Sequence, residues 1–236
     1  MMKRFDAIRH HRGFSLTELA IVLIIVALLL GGLMAPITAQ REMQRLADTR
    51  RLLEQAHEAL LGFAVINGRL PCPANPATAT GAAGAGEEYP PAAGGCSIAL
   101  EGALPWATLG LPETDAWNRR FTYRVTAGFA RIVPAGKNAG FDLATSGDID
   151  VFAAAGGATL VNDAPAIVIS HGANGRGAFL PTGAQIAASL NADEQENSDA
   201  DNVFIGAMNA PDFDDQLVWM ALPILKNRMV SANKLP

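Results

Sequence analysis

The most extended hydrophobic pattern in this chain of 236 residues is an uninterrupted apolar run near its amino end. The run covers 20–30, and Glu18 is the only formal charge between positions 14 and 34. As a helix that rises about 1.5 Å per residue, the stretch 14–34 would be roughly 31 Å long, which is enough to cross a hydrocarbon core of about 30 Å. The pattern predicts a membrane-spanning helical segment over 14–35.

A helical periodicity predicts that the same helix continues as an amphipathic segment over 36–67. Apolar side chains recur there at steps of three, four or seven residues, and charged side chains occupy the remaining surface. Asn67-Gly68 is a typical helix end, and the prolines that follow prevent the helix from resuming. The predicted apolar stripe consists of Met43, Leu46, Leu53, Ala56, Leu60 and Phe63.

The segment from Pro73 to Gly95 is rich in Ala, Gly and Pro and has almost no branched apolar residues. This composition predicts a surface loop without a core of its own. Low-complexity disorder and a partner-binding loop are alternative interpretations of the same composition.

Strand patterns follow this loop. The stretch 120–126 alternates polar and apolar residues, which predicts a half-buried strand, and we expect 129–133 to pair with it across Ala127-Gly128. A short helix is expected over 181–190 and a last one after Pro223. Further strands are predicted at 150–154, 166–170, 202–206 and 216–221.

These elements predict an α+β fold in which a long N-terminal helix, part membrane-spanning and part amphipathic, packs on an antiparallel β-sheet domain. The residues 68–236 are numerous enough for one globular, β-rich domain with its own core.

The beginning of the apolar segment carries a specific motif. Gly13-Phe14-Ser15-Leu16-Thr17-Glu18, preceded by a basic stretch and followed by an apolar helix, resembles the class III signal of type IV pilins and type II secretion pseudopilins. In that family a membrane peptidase cuts after the glycine and methylates the new amino terminus. The resemblance implies a leader peptide 1–13, cleavage between Gly13 and Phe14, and N-methylation of Phe14. It also implies that Glu18 serves assembly by meeting the terminal amine of a neighbouring subunit.

The same resemblance implies a pilin-like structural subunit. It would be a single-pass inner-membrane protein with a periplasmic C-terminal domain, exposed at the cell surface if it is assembled into a pilus. Its expected partners are other pilin or pseudopilin subunits, the prepilin peptidase/methyltransferase and the inner-membrane assembly platform. Its size favours a minor subunit over a major one, and type IV pilus, type II secretion and DNA-uptake systems are all compatible. The competing interpretation is a membrane-anchored periplasmic binding domain or enzyme with a pilin-like anchor.

Two cysteines, Cys72 and Cys96, lie beyond the predicted membrane segment. Because basic residues stay on the cytoplasmic side, the chain after Met34 faces the oxidising side, where disulfides persist. A Cys72–Cys96 disulfide is therefore expected, with two buried free thiols as the alternative.

The net charge of the chain without its leader argues against nucleic acid as a partner. Removal of 1–13 takes away four basic residues and one acidic residue, so the formal net charge falls from −5 to −8. A chain this acidic is not expected to bind nucleic acid through a broad basic surface.

Catalytic patterns are scarce. His171 follows Ser170 and precedes a glycine-rich stretch, but the sequence contains no Gly-x-Ser-x-Gly motif, and its glycines do not match dinucleotide-binding or P-loop spacings. We therefore predict no catalytic residues and no cofactor, and we interpret the stretch after His171 as a glycine-rich turn.

The densest acidic stretch consists of Asp193, Glu194, Glu196, Asp199 and Asp201. Carboxylates suit calcium, and major pseudopilins carry a calcium site in a late loop, but the spacing does not match an EF-hand. A solvated loop over 191–202 is the simpler interpretation, so no metal ligand is predicted.

Overall fold

A computed structural model describes residues 15–208, 210 and 212–236, with the backbone alone over 29–37. The chain divides into two compact units, Met1–Gln44 and Arg45–Pro236. The predicted leader 1–13 and the cleavage and methylation position Phe14 lie outside the described residues.

The first helix, α1, runs from Leu16 to Asn67. It ends where the sequence predicts, because Gly68 has a φ of 72°, a left-handed conformation that glycine adopts without strain. The Gly68 N–H donates to the carbonyl oxygen of Ala64 at 2.8 Å, which closes the last turn. A Cβ at position 68 would clash with the carbonyl oxygen of Asn138, so the packing here also requires glycine.

The predicted membrane-spanning segment 14–35 is described with side chains only over 15–28. Among the helices whose side chains are described, none is long and apolar enough to cross a membrane.

Within the second unit, α1 buries a single stripe of side chains. The predicted stripe is correct at its centre but wrong for Met43, which is 68% exposed and belongs to the first unit. Leu46 and Phe63 are only half-buried, and a threonine and an alanine extend the buried stripe instead. Its buried members are Thr49, Leu53, Ala56, Leu60 and Ala64, spaced three or four residues apart, with Leu61 beside Leu60.

The rest of the described chain forms short strands and helices. The strands are β1 (Pro91–Ala92), β2 (Gly95–Cys96), β3 (Glu101–Ala103), β4 (Thr122–Val125), β5 (Ile149–Phe152), β6 (Thr159–Ala164), β7 (Ala166–Ser170), β8 (Val203–Ile205) and β9 (Gln216–Trp219). The helices after α1 are α2 (Trp106–Leu109), α3 (Ala127–Ala130), α4 (Ala192–Glu196) and α5 (Leu222–Ser231).

Four strands form an antiparallel sheet in the order β3-β4-β7-β9. All five residues of β7 are buried, because this inner strand contacts apolar side chains on both faces. Val168 belongs to the main core, which includes the α1 stripe together with residues of β4 and α5. Ile167 and Ile169 belong to a second cluster that includes Ile149, Val151 and Phe204. The predicted α+β arrangement of a long helix on an antiparallel sheet is therefore confirmed.

A second, three-stranded sheet has the order β6-β5-β8. Its strand β5 pairs antiparallel with β6 and parallel with β8. The four strands predicted at 150–154, 166–170, 202–206 and 216–221 correspond to β5, β7, β8 and β9. The parallel pair was not predicted, since the sequence pattern carries no information on strand direction.

The predicted hairpin between 120–126 and 129–133 is wrong. The first half forms β4, but the chain then turns into the short helix α3. Phe129 in that helix is fully buried and packs on the ring of Phe141 with a centroid distance of 4.8 Å. Burial of this ring decides the local structure, and β4 pairs instead with β3 and β7.

The helix predicted over 181–190 is also wrong. Phe179 and Gln185 form an isolated antiparallel bridge, and Gly183 has a φ of 85° in the turn between them. Leu190 is fully exposed, so the segment has no buried apolar face that would stabilise a helix. The helix in this region is α4, which Asn191 caps by accepting hydrogen bonds from the N–H groups of Asp193 and Glu194.

The segment 73–95 is a loop that contacts the rest of the domain at several points. These contacts agree with the predicted surface loop and not with low-complexity disorder. Cys72 and Cys96 form a disulfide across it, with a Cα–Cα distance of 5.6 Å, in agreement with the expected pairing. Ala74 forms bridges to both Glu88 and Ala103. The apolar content of the loop is low, so these backbone and covalent contacts hold it in place.

Candidate functional site

The first turn of α1 is closed by a reciprocal pair of hydrogen bonds between Ser15 and Glu18. The Ser15 hydroxyl oxygen accepts from the N–H of Glu18 at 3.1 Å, and Glu18 Oε2 accepts from the N–H of Ser15 at 3.1 Å. This arrangement is a capping box, which satisfies two backbone donors at the start of a helix. A serine followed three residues later by a glutamate is the typical sequence pattern of such a box, so Glu18 has a capping role that its predicted assembly role did not include.

The helix surface that follows Glu18 is apolar and exposed on all sides. Ile21 to Val26 are consecutive residues, and their large side chains are all exposed. Because successive residues of an α-helix point about 100° apart, six in a row cover the whole circumference. A helix that is hydrophobic all round normally lies within lipid or within a bundle of similar helices.

The base of the 73–95 loop is fixed by an ion pair beside the disulfide. Arg69 donates from both terminal nitrogens to the two carboxylate oxygens of Glu88, each at 2.8 Å. Glu88 also accepts from the N–H of Cys72 at 2.9 Å. Both charged side chains are largely buried, so this bidentate pair holds the loop more firmly than an exposed pair would.

A cavity of about 330 Å³ lies beside β3 and β4, and Glu101, Arg120, Thr122 and His171 are among its lining residues. Burial is the main cause that raises the pKa of Glu101 to about 7, against a lowering effect of the nearby Arg124. The negative charges of Asp199 and Asp201 also contribute to this raised pKa. Arg120 carries an ion pair with Glu113, so its charge is already compensated.

Ser170 and His171 adjoin in sequence but have different partners. The Ser170 hydroxyl donates to Asp115 at 2.6 Å, whereas Nε2 of His171 lies 2.9 Å from the Thr122 hydroxyl. Both side chains are fully buried. Burial also lowers the pKa of His171 to about 4, so the imidazole is neutral at physiological pH. The pair therefore does not form a serine–histidine nucleophile.

The acidic stretch 191–202 separates into two groups. Glu196, Asp199 and Asp201 place carboxylate oxygens within 4.8 Å of one another near the surface. Glu194 points the other way, is buried, and lies against Asp214 and Asp215, which are distant in sequence. The fifth acidic residue, Asp193, accepts a hydrogen bond from the N–H of Ala155 at 2.8 Å. Sequence reasoning missed Asp214 and Asp215, since only the fold brings them to Glu194.

Comparison with known proteins adds one finding. The family model described as the prokaryotic N-terminal methylation motif matches residues 8–34. No curated protein and no solved structure matches the chain. The chain thus carries a prepilin-type cleavage and methylation signal, the signal of type IV pilins and pseudopilins. Such a signal implies a precursor anchored in the inner membrane, processing by a prepilin peptidase and assembly with pilins.

Proposed function

On the premise of this signal, we propose that the chain is a structural subunit, a minor pilin or pseudopilin, which is assembled through α1 into a type IV pilus or a secretion pseudopilus. The observation that carries the proposal is the position of Glu18. It is the only formal charge between 14 and 34, it lies inside the matched motif, and the apolar side chains after it are exposed.

In this proposal the prepilin peptidase cuts between Gly13 and Phe14 and methylates the amine of Phe14. The segment 14–35 then spans the inner membrane, 36–67 is the amphipathic half of the helix, and 68–236 is the periplasmic domain. If the subunit enters a pilus, that domain reaches the cell surface.

Glu18 would pair with the terminal amine of a neighbouring subunit. A carboxylate inside an apolar segment costs about 2.5–3.5 kcal/mol on insertion scales, so it requires a partner or a function. Opposite charges attract more strongly in the low dielectric of packed apolar helices than in water. The capping box leaves the charge of Glu18 uncompensated, because a serine hydroxyl and an N–H are neutral donors.

The expected partners are other pilin or pseudopilin subunits and the inner-membrane assembly platform. The net charge of −8 after leader removal does not support bulk nucleic-acid binding. The apolar surface around the first part of α1 supports packing against similar helices rather than a soluble partner.

Two matched variants separate the charge of Glu18 from its capping role. Glu18→Gln keeps the hydrogen bonds of a capping box and removes the charge, whereas Ser15→Ala weakens the cap and keeps the charge. We expect Glu18→Gln to reduce copurification with the host's other pilins roughly tenfold, since a loss of only about 1.4 kcal/mol has that effect. Ser15→Ala should copurify like the wild type at equal membrane abundance.

Equal copurification of wild type and Glu18→Gln would contradict the assembly role. It would favour the competing interpretation, a periplasmic binding domain or enzyme that uses the motif only as an anchor. A loss in Ser15→Ala as large as in Glu18→Gln would assign the effect to helix capping and not to charge.

A further inference from the structure

Three carboxylates converge between the end of β7 and the start of β9. Glu194 on α4 and Asp214 and Asp215 before β9 place one oxygen each within 4.8 Å of the others. Glu194 and Asp215 are buried, at 2% and 4% exposure. Three acidic groups at this spacing repel one another strongly when they are removed from water, so the arrangement requires compensation.

The hydrogen bonds around the cluster come from neutral groups. Glu194 accepts from the amide of Asn174 at 2.8 Å and from the hydroxyl of Ser189 at 2.6 Å. Asp215 accepts from the amide of Asn197 at 2.9 Å through Oδ2, while its Oδ1 is buried without a hydrogen-bond partner. In the part of the chain that the structure describes, none of the three carboxylates forms an ion pair with Lys or Arg.

A fourth buried group, His171, lies against one member of this cluster, Asp215. Nδ1 of His171 lies 3.8 Å from Oδ2 of Asp215 and has no hydrogen-bond partner, and the imidazole side chain is 1% exposed. Nε2 on the other side of the ring is occupied by its contact with the Thr122 hydroxyl. When Nε2 donates to Thr122, the lone pair of Nδ1 faces the carboxylate. Two electron-rich atoms then face each other at a distance too long for a hydrogen bond.

That separation suits two ligands of one metal ion. Zinc–nitrogen and zinc–oxygen bonds are about 2.0–2.2 Å long, so two ligand atoms on one ion lie up to about 4 Å apart. Glu194 and Asp214 each offer an oxygen within 4.8 Å of an Asp215 oxygen, whereas His171 approaches the group through Asp215, so an ion bound by all four would draw Glu194 and Asp214 toward the imidazole. Asp214 is half-buried, which leaves an approach to the cluster from the surface.

We propose that His171, Glu194, Asp214 and Asp215 form a binding site for one divalent transition-metal ion, with Zn²⁺ as the first candidate and Mn²⁺ as the second. The imidazole decides the class, since nitrogen ligands suit zinc and its neighbours, whereas Mg²⁺ and Ca²⁺ prefer oxygen alone. Thr122 fixes the imidazole and the Asn174 and Ser189 donors fix Glu194, as outer-shell partners of metal ligands do.

The site would connect the second sheet to the main one. His171 immediately follows β7, Asp215 immediately precedes β9, and Glu194 belongs to α4, which contacts β8. An ion bound to these residues would therefore stabilise this end of the domain. Its binding should raise the thermal midpoint of unfolding as well as appear in a direct binding measurement.

The test uses the full-length protein in detergent, depleted of metal with a chelator and titrated with Zn²⁺, Mn²⁺ or Ca²⁺. Asp215→Asn and His171→Gln remove one ligand each with little change in size. Glu196→Gln is the matched control, because it changes the exposed acidic group of Glu196, Asp199 and Asp201, which has no histidine. Calorimetry gives affinity and stoichiometry, and the thermal midpoint gives the linked stabilisation.

We expect one Zn²⁺ or Mn²⁺ per chain in the wild type and in Glu196→Gln, with a rise in the thermal midpoint. Affinity should fall at least about tenfold in Asp215→Asn and in His171→Gln, while circular dichroism shows that both remain folded. Absence of binding in the wild type would overturn the proposal, and so would unchanged binding in both ligand variants. Binding of Ca²⁺ alone, indifferent to His171→Gln, would overturn the transition-metal assignment. Loss of binding in Glu196→Gln would move the ion to the exposed group.

Discussion

Arg120 donates two hydrogen bonds to a single oxygen of Glu113, at 2.7 and 2.9 Å. The guanidinium is 1% exposed and lies 4.7 Å above the ring of Trp106. Nη1 donates to the carbonyl oxygens of Pro76 and Thr78 in the 73–95 loop, and Nη2 also donates to the carbonyl oxygen of Pro181. One buried cation, two residues before β4, thus joins the Cys-bridged loop, Glu113 and Trp106 of α2.

Arg120→Ala should destabilise the protein by about 3–5 kcal/mol, because it leaves Glu113 and several carbonyl oxygens without their donor in a largely buried site. Arg120→Lys should recover only part of this loss, since an ammonium cannot reproduce the planar fork. Urea unfolding of the purified full chain measures both effects.

Arg51→Ala serves as the control for that measurement. Arg51 pairs with Asp48 at 3.1 Å on the exposed face of α1, where ion pairs contribute about 0–1 kcal/mol. If Arg120→Ala and Arg51→Ala have equal free energies of unfolding, the buried Arg120–Glu113 pair does not stabilise the domain more than an exposed pair does.

The surroundings of Arg120 show that a strand can be predicted from the sequence, whereas the partners of a buried side chain cannot. The alternation over 120–126 correctly predicted a strand, because the period of two is a local property of the chain. The partners of Arg120 come from positions 76, 78 and 113, and no periodicity links those positions. The same limit applies to His171 and Asp215, which meet only through the pairing of β7 with β9.

Secondary structure was predicted correctly where a single local feature of the sequence determines it. The end of α1 at Asn67 was predictable because Gly68 follows it, and the strand at Ala166–Ser170 was predictable because it is an apolar run. The hairpin after β4 was not, since burial of Phe129 in the core outweighs the strand propensity of 129–133.

Reduction of the Cys72–Cys96 disulfide should lower the free energy of unfolding by about 3 kcal/mol. In the chain-entropy model the effect depends on the closed loop, and the two cysteines are 24 positions apart. The exposed stretch around Gly81 should become the first site of proteolysis, because only the non-covalent contacts of the loop, among them the Arg69–Glu88 pair and the hydrogen bonds from Arg120, then hold it. Limited proteolysis with and without reductant checks this expectation.

A double variant with serine at positions 72 and 96 provides the comparison. It should behave like the reduced wild type and should not respond to reductant. A wild-type loop that resists protease equally in both redox states would show that its hydrogen bonds suffice without the covalent link.

Processing of the leader gives a direct prediction from the motif at 8–34. Mass spectrometry of protein from its host should find an amino terminus at Phe14 that carries an N-methyl group. Replacement of Gly13 by leucine should leave the uncut precursor in the membrane, because the peptidase of this family cuts after glycine. An intact Met1 in the wild type, or a cut beyond Met34, would contradict this interpretation.

Glu101 should make stability depend on pH. Its side chain is 15% exposed, Oε2 has no hydrogen-bond partner, and the nearest cation is Arg124 at 3.8 Å. Burial is the main cause that raises the pKa of this carboxyl from 4.5 to about 7; the negative Asp199 and Asp201 contribute to the same rise, and Arg124 opposes it.

The direction of the effect follows from proton binding. Between pH 4.5 and pH 7 the folded chain holds a proton on Glu101 that the unfolded chain has released, so the free energy of unfolding falls as the pH rises through this window. Glu101→Gln cannot ionise and should lack this part of the pH dependence. At pH 8 it should be more stable than the wild type by about 2–3 kcal/mol, and near pH 4.5 the two should be similar.

Urea unfolding at several pH values measures the difference between Glu101→Gln and the wild type. Glu87→Gln is the control, since Glu87 is exposed and its replacement should leave the pH dependence of the wild type unchanged. If Glu101→Gln keeps that pH dependence, another group is responsible for it, and the cavity beside β3 holds an ordinary ionised carboxylate.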